Sequence, residues 1–214
     1  MERKMFLIVA ALVLLFVQSA FAQTEELPDT VWTKFTYPNA VNAVKFTPDG
    51  KYLASGGDDG IPKLWDAVTG ELVREFLGNG SKIWSLDINN TGELIAVVND
   101  SSVITIWNVL TGEILKVIDY YGNSNKLRGL DLKFSHNGIY LAAILAKYGL
   151  NSIERDIILW NTHNWEMKSQ LMDVAVPISL MFSPDDSKIA VSDIVLGEEK
   201  IVVAILNVPS LRTY

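Results

Sequence analysis

The chain has 214 residues, with 18 Lys and Arg against 25 Asp and Glu for a formal net charge of −7, 49% apolar residues and no cysteine. An acidic chain is repelled by nucleic acid and by anionic membrane surfaces, so neither is an expected partner. Without cysteine there is no disulfide framework and no thiolate metal site, and stability must come from an apolar core that this length can supply.

Arg3 and Lys4 precede an unbroken apolar run over residues 5–17, and Gln18-Ser19-Ala20-Phe21-Ala22 closes it with an Ala-x-Ala arrangement. That is the pattern of a secretory signal peptide. Cleavage is expected before Gln23, leaving a secreted or periplasmic chain of net charge −8 once Glu2, Arg3 and Lys4 are gone. The run is too short for a hydrocarbon core that needs about 20 residues, which weighs against an uncleaved anchor. No later segment suits a span, so no membrane insertion is expected after cleavage. Residues 23–35 then read as a leading outer strand.

Four similar units follow. In the first, over 36–76, residues 41–46 alternate with period two, as a half-buried strand does. Thr47-Pro48-Asp49-Gly50 is a turn: Pro presets φ, Asp bonds local backbone and Gly accepts positive φ. Strands are predicted over 51–56, 62–66 and 71–76, separated by Gly57-Asp58-Asp59-Gly60 and Val68-Thr69-Gly70. The second unit, over 77–118, repeats that order with strands at 83–88, 93–98, 103–107 and 113–118. In the third, over 119–171, strands at 130–134 and 139–145 precede an insertion over 146–155, and another strand ends at Trp160. The fourth, over 172–214, places strands at 178–182, 188–192 and 201–206, with a further outer strand beginning at 211. Even spacing, Asn/Asp/Gly turns and no helical periodicity make an all-β chain.

One phrase recurs through these units. Leu64-Trp65-Asp66-Ala67-Val68-Thr69-Gly70-Glu71-Leu72 returns as Ile106-Trp107-Asn108-Val109-Leu110-Thr111-Gly112-Glu113-Ile114, then loosely as Leu159-Trp160-Asn161-Thr162. First turns begin at 47, 89, 135 and 183, a period in the range of propeller blades. On these residues, and on Phe46-Thr47-Pro48-Asp49-Gly50-Lys51-Tyr52-Leu53-Ala54-Ser55-Gly56, the chain resembles the WD40-repeat β-propellers over residues 36–210, and specifically their divergent secreted bacterial kind. The resemblance implies about four four-stranded blades. It also implies a buried polar set of His, Ser, Asp and Trp, of which Ser55, Asp59 and Trp65 stand in the first unit, with Tyr37 at the His place. In the second, Asn79, Val97 and Ser101 hold the His, Ser and Asp places. Asp66, Trp107, Asn108, Trp160 and Asn161 complete the expected repeat motif. Family rings usually hold seven blades, so the expectation is an incomplete or open ring. A truncated gene product, a compact four-blade ring and an assembly of two arcs all stay open, and an open arc invites self-association through its edges.

Chemistry is sparse. His136 and His163 sit in turns without converging partners, and no zinc, triad or nucleophile-elbow pattern is present. Gly56-Gly57-Asp58-Asp59-Gly60 precedes no helix, so it is no phosphate loop. Asp185-Asp186 and Glu198-Glu199 read as solvated turns. No catalytic residue, cofactor or metal is expected. The least repeat-like stretches, Tyr120-Tyr121 and the insertion with Lys147 and Tyr148, are the candidates for binding a protein partner. The reading is a non-catalytic interaction scaffold; the alternatives are a propeller enzyme or ligand binder with its site at a central channel, and a gene fragment with no role of its own.

Overall fold

The structure is a computed structural model that describes residues 31–34, 40–122, 127–149, 153–171, 177–195 and 200–208. Two compact units divide it, Met1–Thr33 and Lys34–Tyr214. In the first, only Val31, Trp32 and Thr33 are described, without regular structure. The signal peptide, Tyr37 and the outer strand expected from 211 lie outside the described residues, as does most of the stretch read as a leading strand.

The second unit is all-β, as the sequence implies. Its strands are β1 (Val41–Phe46), β2 (Tyr52–Gly57), β3 (Lys63–Asp66), β4 (Leu72–Glu75), β5 (Ile83–Ile88), β6 (Leu94–Asn99), β7 (Val103–Asn108), β8 (Ile114–Asp119), β9 (Leu127–Phe134), β10 (Tyr140–Tyr148), β11 (Ile153–Asn161), β12 (Met167–Leu171), β13 (Pro177–Phe182), β14 (Lys188–Val195) and β15 (Lys200–Asn207). They form four antiparallel meanders in chain order: β1 to β4, β5 to β8, β9 to β12, and β13 to β15. Inner strands β1, β5, β9 and β13 lie side by side and set each sheet against the next.

Each first turn is closed by the side chain that opens it. Thr47 Oγ1, Asn89 Oδ1, Ser135 Oγ and Ser183 Oγ accept from the backbone N–H five residues on, at 3.0, 3.0, 2.9 and 3.0 Å. Three of these turns end on a glycine at positive φ, Gly50, Gly92 and Gly138. The fourth has Asp186 at φ 55° instead. Asp186 was expected in a solvated turn, but it is buried. Its carboxylate accepts from the N–H groups of His136 and Asn137 at 2.8 and 2.7 Å, so the strained residue ties the fourth sheet's turn to the third's.

The core lies between sheets. Ala54, Leu64 and Phe76 pack against Leu86, Ile95 and Trp107. Ala96, Val98 and Ile106 pack against Leu132, Leu141 and Trp160. Ala142, Ile144 and Leu159 pack against Leu180, Phe182 and Val191. No sheet could bury both its faces alone, which is the physical reason for the repeat.

The expected loop over 146–155 is corrected. β10 and β11 pair without interruption to Tyr148 opposite Ile153, so the extra residues lengthen a hairpin. Alternating side chains keep the ladder paired beyond the length of the neighbouring sheets.

Candidate functional site

The repeat-motif residues hold the sheets, with Ser55, Trp65, Trp107, Trp160 and Asn161 buried and Asp59, Asp66 and Asn108 part-exposed. Trp65 Nε1 donates to Ser55 Oγ at 2.8 Å. Asp59 does not join them: its carboxylate pairs with Lys63 and accepts from the N–H of Ile61. In the second unit Val97 supplies no hydroxyl, and Trp107 Nε1 donates to the carbonyl of Leu77 at 3.3 Å. Trp160 is buried in the core between the second and third sheets. Asp66 and Asn108 staple the following turn, each accepting from two N–H groups, and Asn161 accepts from that of His163. Those two N–H bonds hold the Asp66 carboxyl below its ordinary range.

A different cluster forms at the opposite ends of the inner strands. β5 carries a bulge between Ile83 and Ser85. The bulge takes Trp84 out of the alternation that buries Leu86 and Ile88. Its ring is stacked between the guanidinium of Arg128, 3.6 Å from the ring centre, and the ammonium of Lys82 at 4.3 Å. Lys82 in turn pairs with Asp58 at 2.7 Å, and Asn42 Nδ2 bridges Asp58 and the carbonyl of Ile83. These two donors hold the Asp58 carboxyl below its ordinary range. Trp84 Nε1 is buried and meets no hydrogen-bond acceptor among the described residues, and the same holds for Nε and Nη1 of Arg155. Arg128 and Arg155 both stand opposite Ala146, so register sets them on one face of the third sheet.

The predicted partner-binding residues belong to this same end. Tyr120 and Tyr121 meet edge to face, ring centres 4.8 Å apart, and lie against the core between sheets two and three. Tyr121 donates to Asp156 Oδ2 at 2.9 Å. Burial, then the neighbouring carboxylate, pushes both phenols above the ordinary tyrosine range. Lys147 and Tyr148 sit half-buried at the end of β10. Two stretches far apart in sequence therefore meet on one hairpin, through Leu145 and Asp156. Sequence reasoning missed Lys82, Arg128 and Arg155. The available signal was Trp84 standing where strict alternation would bury it.

Along the inner strands, polar residues two or four before the first turns converge. Asp87 Oδ2 accepts from the N–H of Phe134 at 2.9 Å, and Oδ1 lies 2.8 Å from Lys45 Nζ. Asp131 Oδ1 accepts from Ser85 Oγ at 2.7 Å, and Oδ2 from Ser179 Oγ and the N–H of Leu180 at 2.8 and 3.0 Å. Both acids brace neighbouring inner strands. Beside them an open cavity of about 460 Å³ is bounded by Lys45, Asp87, Lys133, Phe134, His136 and Met181. His136 Nδ1 lies 2.9 Å from Asp186 Oδ1, so this histidine is engaged with the neighbouring turn although it is largely exposed. Among the described residues no group of three His, Cys, Asp or Glu is placed to hold a metal ion.

Comparison with known proteins agrees with this architecture. The family model "WD domain, G-beta repeat" matches residues 31–66 and 70–108. WD repeat domain-containing protein 83 of Danio rerio is 36% identical over 66 residues, 30% of this chain and 21% of that protein. Actin-interacting protein 1 of Drosophila melanogaster is 48% identical over 44 residues, 21% of this chain and 7% of that protein. The β-propeller domain of Cps50 (Swd1) from Myceliophteria thermophila superposes with a TM-score of 0.64 at 18% identity, covering 80% of this chain and 55% of that one. The matches thus span about a fifth or less of these curated relatives.

Proposed function

Because the chain carries WD40 repeats folded as successive propeller sheets, we propose that it is a non-catalytic scaffold that binds a protein partner outside the cytoplasm. Proteins of this repeat family serve chiefly as interaction scaffolds. One relative's name, actin-interacting protein, speaks of a protein partner. The observation that carries the reading is the pair of cations, Lys82 and Arg128, set over the Trp84 ring. Lys82, Arg128 and Lys147 are part-exposed, and a partner segment rich in carboxylates is the complement to their charge. A cation beside an indole face also strengthens as water is excluded. Tyr121, Lys147 and Tyr148 extend the same surface.

A phage-displayed peptide library selected on the full chain tests this. Peptides bearing Asp and Glu are expected, with binding at least about tenfold weaker for Trp84→Ala and Arg128→Ala, a loss of about 1.4 kcal/mol. Equal binding by folded variants removes the surface from the proposal. Export is tested separately: the chain recovered from a secreting bacterial host should begin at Gln23, and retention in the cytoplasm with Met1 intact removes that part.

The 460 Å³ cavity favours a second reading, a ligand-binding or catalytic site at the channel, since it falls in the range of small-molecule sites. Asp87, the acid that lines it, already accepts from the N–H of Phe134 and pairs with Lys45, which weighs against it as a general base. Turnover on a hydrolase panel that disappears in Asp87→Asn would replace the scaffold reading.

A further inference from the structure

The contact between successive sheets is built three times in this chain with equivalent residues. Each time two apolar side chains of an inner strand lie against the preceding sheet: Leu86 and Ile88, Leu132 and Phe134, Leu180 and Phe182, none above 7% exposed. They meet an Ala set opposite an aliphatic residue by register: Ala54 opposite Leu64, Ala96 opposite Ile106, Ala142 opposite Leu159. None of these exceeds 3% exposed.

The fourth copy of each half stands in the open. Val44 and Phe46, the equivalents on β1, are 61% and 57% exposed. On the fourth sheet Ala190 stands opposite Ile205, which is 66% exposed. Val203 beside it is 68% exposed, where its equivalents Ile104 and Ile157 are 0% and 4%. A depression of about 370 Å³ lies on this face, bounded by Met181, Ala190, Ser192 and Val203. Exposed apolar patches of this kind mark interaction surfaces, and the repeat itself identifies the shape that fits.

We propose that the fourth sheet of one copy of this chain docks on the first sheet of a second copy, reproducing the contact that already joins its own sheets. Val44 and Phe46 of the second copy enter the depression as Leu180 and Phe182 enter the face of the third sheet. The junction is heterologous, with different faces on the two partners. It uses neither Trp84 nor Arg128, so it stands or falls apart from the partner-binding surface.

Sedimentation velocity on the full chain over about 1–100 µM reads Kd values of micromolar order. The expected result is a mass that rises with concentration. A first-face variant, Val44→Lys with Phe46→Glu, and a fourth-face variant, Val203→Lys with Ile205→Glu, should each stay monomeric. Mixed together they should recover a dimer, because one junction remains intact in the mixture. If a charged variant loses its circular dichroism signature, Val203→Thr with Ile205→Thr carries the same test. A wild-type monomer across the range overturns the proposal. So does association that survives both variants, such as one made through residues 1–22, or a mixture that shows no recovery.

Discussion

A single hydroxyl decides how two of the repeat tryptophans are held. Ser55 gives Trp65 an acceptor inside its own sheet, whereas Val97 forces Trp107 onto the carbonyl of Leu77. Ser55→Ala should therefore cost about 1–3 kcal/mol, since it leaves a buried indole N–H unpaired; denaturant unfolding followed by tryptophan fluorescence measures it, and a loss near zero would mean Trp65 finds another acceptor. The turn aspartates give a pH-dependent counterpart. Asp49 accepts from Thr47 Oγ1 and from the N–H of Lys51, and its carboxyl is held down at about 2. Asp185 is held at about 2 by Ser183 and Ser187. Folded values below the unfolded carboxylate range, about 3.9, mean the native chain binds fewer protons. Their stabilisation is complete above about pH 4 and is lost as pH falls through about 2. Carbon-detected titration should find midpoints near 2 for both residues, and Asp49→Asn should flatten the acid limb of the melting curve. The need for Asp, Gly and Ser in these turns was legible in the sequence. The role of Asp186 was not, because its partners lie a whole unit away in His136 and Asn137.

At the scale of elements, period-two alternation located nearly every strand, and two places show where it stops being informative. The bulge in β5 turned Trp84 off the core face to a half-buried place under two cations, since one extra residue shifts the face of everything beyond it. The stretch over 146–155 looked like an insertion, yet its Lys147–Glu154 and Ala146–Arg155 positions pair as a ladder. Alternation says which face a side chain takes, and it is silent on what arrives at that face from another sheet. Asp131 illustrates the gap: it reads as one polar residue in β9, but its two oxygens join Ser85 of β5 to Ser179 and Leu180 of β13. Removing a buried carboxylate that others depend on costs about 3–5 kcal/mol, so Asp131→Ala should lose about that much stability. Ser179→Ala removes a single partner and should cost about 1 kcal/mol. Chemical denaturation of the two variants and their double mutant checks the assignment. Additive losses would show that Asp131 and Ser179 do not act on each other.

For the whole molecule, the spacing of 42 to 48 residues between first turns announced how many sheets there are and their order, because equivalent sheets can stack only on neighbours. What spacing could not announce is how unequally the stacking is shared. The second and third sheets each bury both faces, through Ala96, Ile106 and Leu86 on one and Ala142, Ile144 and Leu132 on the other. The first and fourth each leave one face largely uncovered at Val44, Phe46, Val203 and Ile205. In an array of this kind stability is a sum of each sheet's own term and its contacts with nearest neighbours. Opening a middle sheet breaks two such contacts, and opening an outer one breaks one. Native-state hydrogen exchange should therefore protect the amides of β6, β7 and β10 most strongly, and release those of β2, β3 and β14 at lower free energy. The difference narrows if copies dock end to end: raising the concentration should slow exchange in β1 and β14 and leave β7 unchanged, because mass action stabilises only the faces that are covered. Uniform exchange across all four sheets would instead mean that bonds such as those of Asp87 and Asp131 couple them into one cooperative unit.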